Sequence, residues 1–179
     1  MRICYLGTSA ALKLLIEEKE SRPLSQWLNS AVAGGMVLCA SFLLHTELHC
    51  AARRRRELDE RTAAVLLSGV ELIDVSREHL LSAFSGSMGL RAADAIHLAV
   101  ARAVSADILL TYGREMRRAA QCCGLNVIAP SWLSIPVGLP ISGLVISAAS
   151  VAGVRSRCRR RGTRTAGRPR RRRPARPAA

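Results

Sequence analysis

Residues 4–10 read CYLGTSA, and residues 108–116 read ILLTYGREM. Each is an apolar, strand-like run that meets a hydroxyl residue and a glycine and then passes into a helical pattern. Gly7 precedes Thr8, Ser9 and an apolar stripe of helical period over 9–19; Gly113 follows Thr111 and Tyr112 and opens a basic helix over 114–123. A strand that runs directly into a helix is the repeating unit of α/β proteins, and ligands in such folds bind beyond the carboxyl ends of the strands. The two glycines therefore stand where a site is expected, and the identity of those two positions is a functional matter.

The rest of the chain repeats the same plan. RICYLG is a candidate central strand, a second helix covers 22–33 with Pro23 in its first turn, and Gly34-Gly35 stops it. MVLCA reads as a strand, 42–56 as a helix with a basic end, and 57–68 as a further helix after a break. VELIDVS alternates as a strand, REHLLSAF is helical, and SGSMG is a loop. Residues 91–104, RAADAIHLAVARAV, carry the strongest helical pattern; DILLTY and LNVIAP are the last strands, the second closed by Pro130. Strands alternating with helices predict an α/β domain with a mostly parallel sheet covered on both faces.

Charge divides the chain. Residues 1–133 hold 15 Arg and Lys and all 13 acids, for a net of +2, whereas residues 134–179 hold 12 Arg and no acid. The formal charge of +14 thus belongs to the tail, and the domain is not itself a strongly basic nucleic-acid binder. Lys13 and Lys19 are the only lysines among 27 basic residues, the signature of a GC-rich, bacterial genome. The six cysteines match no zinc spacing and several lie in apolar runs, which predicts reduced thiols and a cytoplasmic protein. No charged-then-apolar leader opens the sequence.

The ordered pieces YLxTSAxxKLL, TELHxA, LRxxDAIHLAxA and DxxLLTYxRxM, over residues 2–132, resemble the PIN-domain ribonucleases and specifically the VapC-type toxins of bacterial toxin–antitoxin pairs. The resemblance implies a PIN-like fold in which acids gather at the strand ends, hold Mg²⁺ or Mn²⁺ and hydrolyse RNA phosphodiester bonds. It also implies a cognate antitoxin partner and a homodimer. Hard divalent cations take oxygen ligands, and hydrolysis of an anionic diester needs cations to shield charge and to supply hydroxide. In the family pattern the first acid appears as YLDTSA and a later one as TYDRRM; here those positions are Gly7 and Gly113. The acids that remain are Glu47 and Asp94, which the resemblance makes the catalytic and metal-binding residues.

If each missing carboxylate weakens metal binding by the ~10–100-fold typical of outer-shell losses, two losses predict weak or absent activity. The alternative is a catalytically inactive remnant that keeps dimer or antitoxin binding. Glu115, two residues past Gly113, is expected to be a helix N-terminal acid rather than a substitute ligand. Thr8, Ser9 and Thr111 are candidates to lend hydroxyls or supporting hydrogen bonds to the site; equally, Thr8 or Ser9 is placed to cap the first helix, the commoner use. His45 and His49 flank Glu47 at two residues each, about 200° round the helix, so HTELH is not a zinc motif. His97 is expected to pack partly buried and to bond a neighbour, one turn from Asp94, and Asp94 to lie mid-helix, an expensive place for an unpartnered charge. Arg53 to Arg56 either grip an RNA backbone or, as is rather expected, are balanced by Glu57, Asp59 and Glu60 on a solvated helix, and the six aromatic residues suggest no base-stacking platform.

The chain is therefore expected to form a PIN domain over 1–133 and a disordered Arg/Pro/Ala/Gly-rich tail over 134–179. The uncharged stretch 134–154 has the length of a membrane span, but Pro136, Gly138, Pro140 and Gly143 interrupt it, so membrane insertion is not expected. The arginines beyond it are either a basic arm for nucleic acid or the product of a shifted reading frame in GC-rich DNA.

Overall fold

The structure, a computed structural model, describes residues 1–86 and 89–131. Five strands, β1 (Ile3–Leu6), β2 (Val37–Ser41), β3 (Glu71–Ile73), β4 (Ile108–Leu110) and β5 (Val127–Ile128), form one sheet in the order β3-β2-β1-β4-β5. Every pairing is parallel, with Cys4 beside Leu38 on one side and beside Ile108 on the other. The chain moves outward from β1 to β2 and β3, then returns to place β4 on the other flank of β1. The crevice between β1 and β4 is thus the topological switch point of the sheet, the place where such folds keep their ligands.

Seven helices complete the described chain: α1 (Thr8–Leu15), α2 (Ser21–Ala33), α3 (Leu43–Arg54), α4 (Glu60–Ser68), α5 (Arg77–Ser85), α6 (Ala92–Ala103) and α7 (Arg114–Cys122). The period of two along β1 sorts its side chains between two cores. Cys4 and Leu6 face a cluster with Leu24, Leu44, Leu48 and Leu110, while Ile3 and Tyr5 face Leu98, Val100, Leu109 and Met116. Both faces are covered, which is why the strands read as unbroken apolar runs. The tail from 132 onward, with the expected domain boundary and the apolar stretch 134–154, lies outside the described residues. Among the described residues, no helix is long and apolar enough to cross a membrane.

Some boundaries differ from the sequence expectation for local reasons. Helix α1 ends at Leu15, not at 19, because Lys13 pairs with both Glu18 and Glu20 and folds the chain back. The Ser21 hydroxyl donates to the Ile16 carbonyl and accepts from the Glu18 amide, fixing that turn. Helix α2 stops as the glycine pair requires, with Gly35 at φ +81°. Cys4 and Cys39 are buried, and burial pushes the Cys4 thiol up to about 12; Cys50 and Cys122 are exposed.

Candidate active site at the strand ends

Beyond the carboxyl ends of β1, β2 and β4, one hydrogen-bonded network organises the site. His97, on the inner face of α6, is only 1% exposed. Its Nε2 donates to Glu47 Oε2 at 2.7 Å, and the Tyr5 hydroxyl lies 2.8 Å from its Nδ1. Tyr5 Oη already accepts from the Ser41 amide at 2.9 Å, which leaves its proton for the imidazole. The Ser41 hydroxyl is a further neighbour of Nδ1 at 3.0 Å. Thr8 completes the set, donating to Glu47 Oε2 at 2.5 Å and lying 3.1 Å from His97 Nε2. Strands β1 and β2 and helices α1, α3 and α6 are thereby tied to a single carboxylate. Burial raises the Glu47 carboxyl, but hydrogen bonds from His97 and Thr8 and the His97 interaction outweigh it and hold it below the usual range.

Asp94 sits one turn before His97 on α6, in the helix's first turn and not in its middle. There the backbone dipole favours an anion, so the helix supplies part of the stabilisation that a mid-helix position would lack. Its carboxyl is nevertheless pushed upward, first by burial and then by the nearby negative charges of Glu47 and Glu115, against the lowering influence of His97 and Arg91. Glu115, in the first turn of α7, therefore lies within electrostatic reach of Asp94. Among the described residues, no group of three His, Cys, Asp or Glu side chains has the spacing to enclose a metal ion.

The two glycines differ in their surroundings. Each is the N-cap of the following helix, α1 for Gly7 and α7 for Gly113, and neither supplies a side-chain cap. Gly7 is drawn into the β1–β4 ladder, its amide donating to the Leu110 carbonyl at 2.9 Å. A Cβ there would stand 3.1 Å from that carbonyl oxygen and 3.2 Å from Thr111 Cβ, tighter than ordinary contact. At Gly113 the nearest atom to a Cβ is Met116 Cβ at 3.5 Å, an ordinary distance. Thr111, 3% exposed, bonds the Ser9 hydroxyl at 3.0 Å, and Ser9 in turn accepts from the Tyr112 amide at 2.9 Å. The hydroxyls of Thr8 and Ser9 are thus committed to hydrogen bonds around the site, one of the two uses open from the sequence, and neither caps α1. The role of His97 as hub was not evident either; its place one turn from Asp94 in an otherwise apolar stretch was the available signal.

The donor chemistry suits a hard cation. Glu47 and Asp94 offer carboxylate oxygens close enough to repel each other, and Mg²⁺ is commonly held by one or two carboxylates with water and phosphate completing the shell. One oxygen of Glu47 is already engaged by two protein donors.

Comparison with known proteins places the family and the fold. The PIN domain profile matches residues 4–121. The chain is 34% identical over 134 residues to ribonuclease VapC46 of Mycobacterium tuberculosis, covering 73% of this chain and all of that protein. Ribonuclease VapC47 of the same species is 30% identical over 130 residues, covering 70% of this chain and 96% of its own length. A crystal structure of VapBC2 from Rickettsia felis bound to a DNA fragment from their promoter contains a chain of the same fold, with TM-score 0.57 and 17% identity over 72% of this chain and 99% of that one. With its parallel sheet, its switch-point crevice and the acids beside it, the chain belongs to the PIN-domain family and, within it, to the VapC type.

Proposed function

We propose that this protein is the toxin of a toxin–antitoxin pair, a metal-dependent endoribonuclease acting on RNA phosphodiester bonds with impaired activity. The observation that carries this reading is the convergence of Glu47 and Asp94 beyond the strand ends, the first lowered by hydrogen bonds from His97 and Thr8 and the second raised by burial and then by its acidic neighbours. Glu47 and Asp94 would hold Mg²⁺ or Mn²⁺, which supplies charge neutralisation of the diester and an activated water. The chain's own contribution is positional. His97, fixed by Tyr5 and Ser41, holds the Glu47 carboxylate in place and ionised, while α6 directs Asp94 to the same mouth. Thr111 and Ser9 pin the β4–α7 connection against α1 and keep the crevice shaped.

Impairment follows from Gly7 and Gly113, where carboxylates of the family pattern are missing. Both relatives named above are VapC ribonucleases, and a cognate antitoxin and a homodimer are the partners that the family resemblance implies. Mn²⁺ titration by calorimetry, with RNA cleavage assayed alongside, tests the reading. Weak binding abolished by Asp94→Ala is expected; cleavage that survives Asp94→Ala would overturn it. A second reading, an inactive member that keeps only partner binding, draws support from the engagement of Glu47 Oε2 by Thr8 and His97. It predicts no Mn²⁺ binding by the native chain.

A further inference from the structure

With no carboxylate at Gly7 or Gly113, Glu47 carries a larger share of the proposed metal centre, so which of its oxygens is free matters. Both protein donors meet the same one: His97 Nε2 lies 2.7 Å and Thr8 Oγ1 2.5 Å from Oε2. Among the described residues Oε1 accepts no hydrogen bond, and the side chain keeps 27% of its surface open to solvent. The choice of oxygen is set two hydrogen bonds away. Strand β1 leaves the sheet after Leu6, so the Ser41 amide at the end of β2 has no ladder partner there, while the next amide, of Phe42, turns to Ile73 on β3. The Tyr5 hydroxyl takes the Ser41 amide at 2.9 Å and lies 2.8 Å from His97 Nδ1. Its ring meets the imidazole edge-on, with centroids 5.9 Å apart and planes at 76°. Burial pushes the phenol above its ordinary range, so the proton stays on the oxygen as a donor.

We infer that Tyr5 is a positioning residue of the metal centre: its hydroxyl holds the His97 ring with the proton at Nε2, and that N–H, beside Thr8, ties down Glu47 Oε2 and leaves Oε1 as the single oxygen for a cation. The inference rests on the metal-dependent reading above and adds how the cation is selected. With the proton at Nδ1 instead, Tyr5 Oη would face two donors, the Ser41 amide and the ring. The bare Nε2 would then stand 2.7 Å from a carboxylate oxygen, acceptor against acceptor. With the proton at Nε2, every group in the chain from the Ser41 amide to Glu47 meets its complement. The Ser41 hydroxyl is a second neighbour of Nδ1 at 3.0 Å, but that nitrogen has one lone pair and the shorter bond is that of Tyr5. A carboxylate restricted to one oxygen suits Mg²⁺ or Mn²⁺, which take few carboxylate oxygens in an octahedral shell completed by water. Ca²⁺ takes more oxygens and readily accepts both of one carboxylate. Tyr5 thus biases the site toward the smaller ions without touching them.

The test uses the full chain, metal-free for the ring and with Mn²⁺ or Ca²⁺ for the site. Nitrogen NMR of the native protein with isotopically labelled histidine is expected to show the His97 proton at Nε2 and Nδ1 as an acceptor. A proton found on Nδ1 overturns the inference, whether or not any variant folds. Calorimetry then compares Mn²⁺ with Ca²⁺, counting only the binding that Asp94→Ala abolishes. Tyr5→Phe is expected to weaken Mn²⁺ by about tenfold and Ca²⁺ by clearly less, because Oε2 comes free for a second bond, and to move the Nδ1 resonance. Ser41→Ala is expected to do less on both counts. A purely structural tyrosine would lower both affinities together, so a Mn²⁺-to-Ca²⁺ ratio unmoved in a folded Tyr5→Phe chain overturns the inference, as does a larger effect of Ser41→Ala. Mn²⁺ binding that is absent from the native chain, or that survives Asp94→Ala, overturns the metal-centre reading and this inference with it.

Discussion

The carboxyl ends of β1 and β4 carry the same local sequence plan and have different freedom. At β1, Gly7 is wedged against Leu110 and Thr111, and the residue after it, Thr8, is bonded to Glu47 and His97. At β4, Gly113 has ordinary clearance and opens α7 without a side-chain cap. One end is crowded at the position where the family resemblance expects an acid; the other has room for a side chain. A glycine in a family's acidic position is thus not a single kind of loss, because the neighbours decide whether the acid has a place to return to.

Breaking the closed end has the largest expected effect. His97→Ala leaves a buried void and strips partners from Glu47, Tyr5 and Ser41, and it is expected to lower unfolding stability by about 3 kcal/mol or more in urea titration. Next, Gly7→Asp and Gly113→Asp should separate. The first forces a side chain into tight contact and is expected to lose about 1–2 kcal/mol, whereas the second stays within about 0.5 kcal/mol of the native chain, since Asp replaces Gly at an N-cap at little difference. Equal stability of the two variants would erase the comparison.

Smaller effects lie in pH. The Glu47 carboxyl is lowered on folding from its ordinary value of 4.5, so its contribution is present above that value and lost as pH falls through the folded one. Glu47→Gln should therefore flatten the acid limb of the stability curve. Asp94 is raised from 3.8, so its ionisation opposes folding once pH rises through the folded value. Asp94→Asn is expected to be slightly stabilising at pH 7, with the gain vanishing below the ordinary aspartate range. A loss of stability at pH 7 would mean that Asp94 has a structural partner.

Much of the fold was legible because each element carries its own period. The apolar strands and the stripes of α3 and α6 announce themselves locally, and the parallel sheet follows from their alternation. Helix ends were less legible: α1 stops early because Lys13 reaches Glu18 and Glu20, a side-chain choice that no period records. Glu47 and Asp94 are candidates that the motifs alone put forward, whereas their surroundings were not legible. The bonds from His97 to Tyr5 and Glu47 span 92 and 50 residues, and the crowding at Gly7 depends on the β1–β4 register. Asp94, read as mid-helix, lies in the first turn of α6, which starts at Ala92.

The central claim is that the site is a PIN metal centre short of acids, with room for repair at β4. It is tested most directly by RNA cleavage in Mn²⁺, comparing the native chain and Gly113→Asp, each with and without Asp94→Ala. The account predicts weak cleavage by the native chain, a rise of about tenfold or more in Gly113→Asp, and loss of both signals with Asp94→Ala. Vigorous native cleavage that Gly113→Asp leaves unchanged, or cleavage that persists without Asp94, would contradict it.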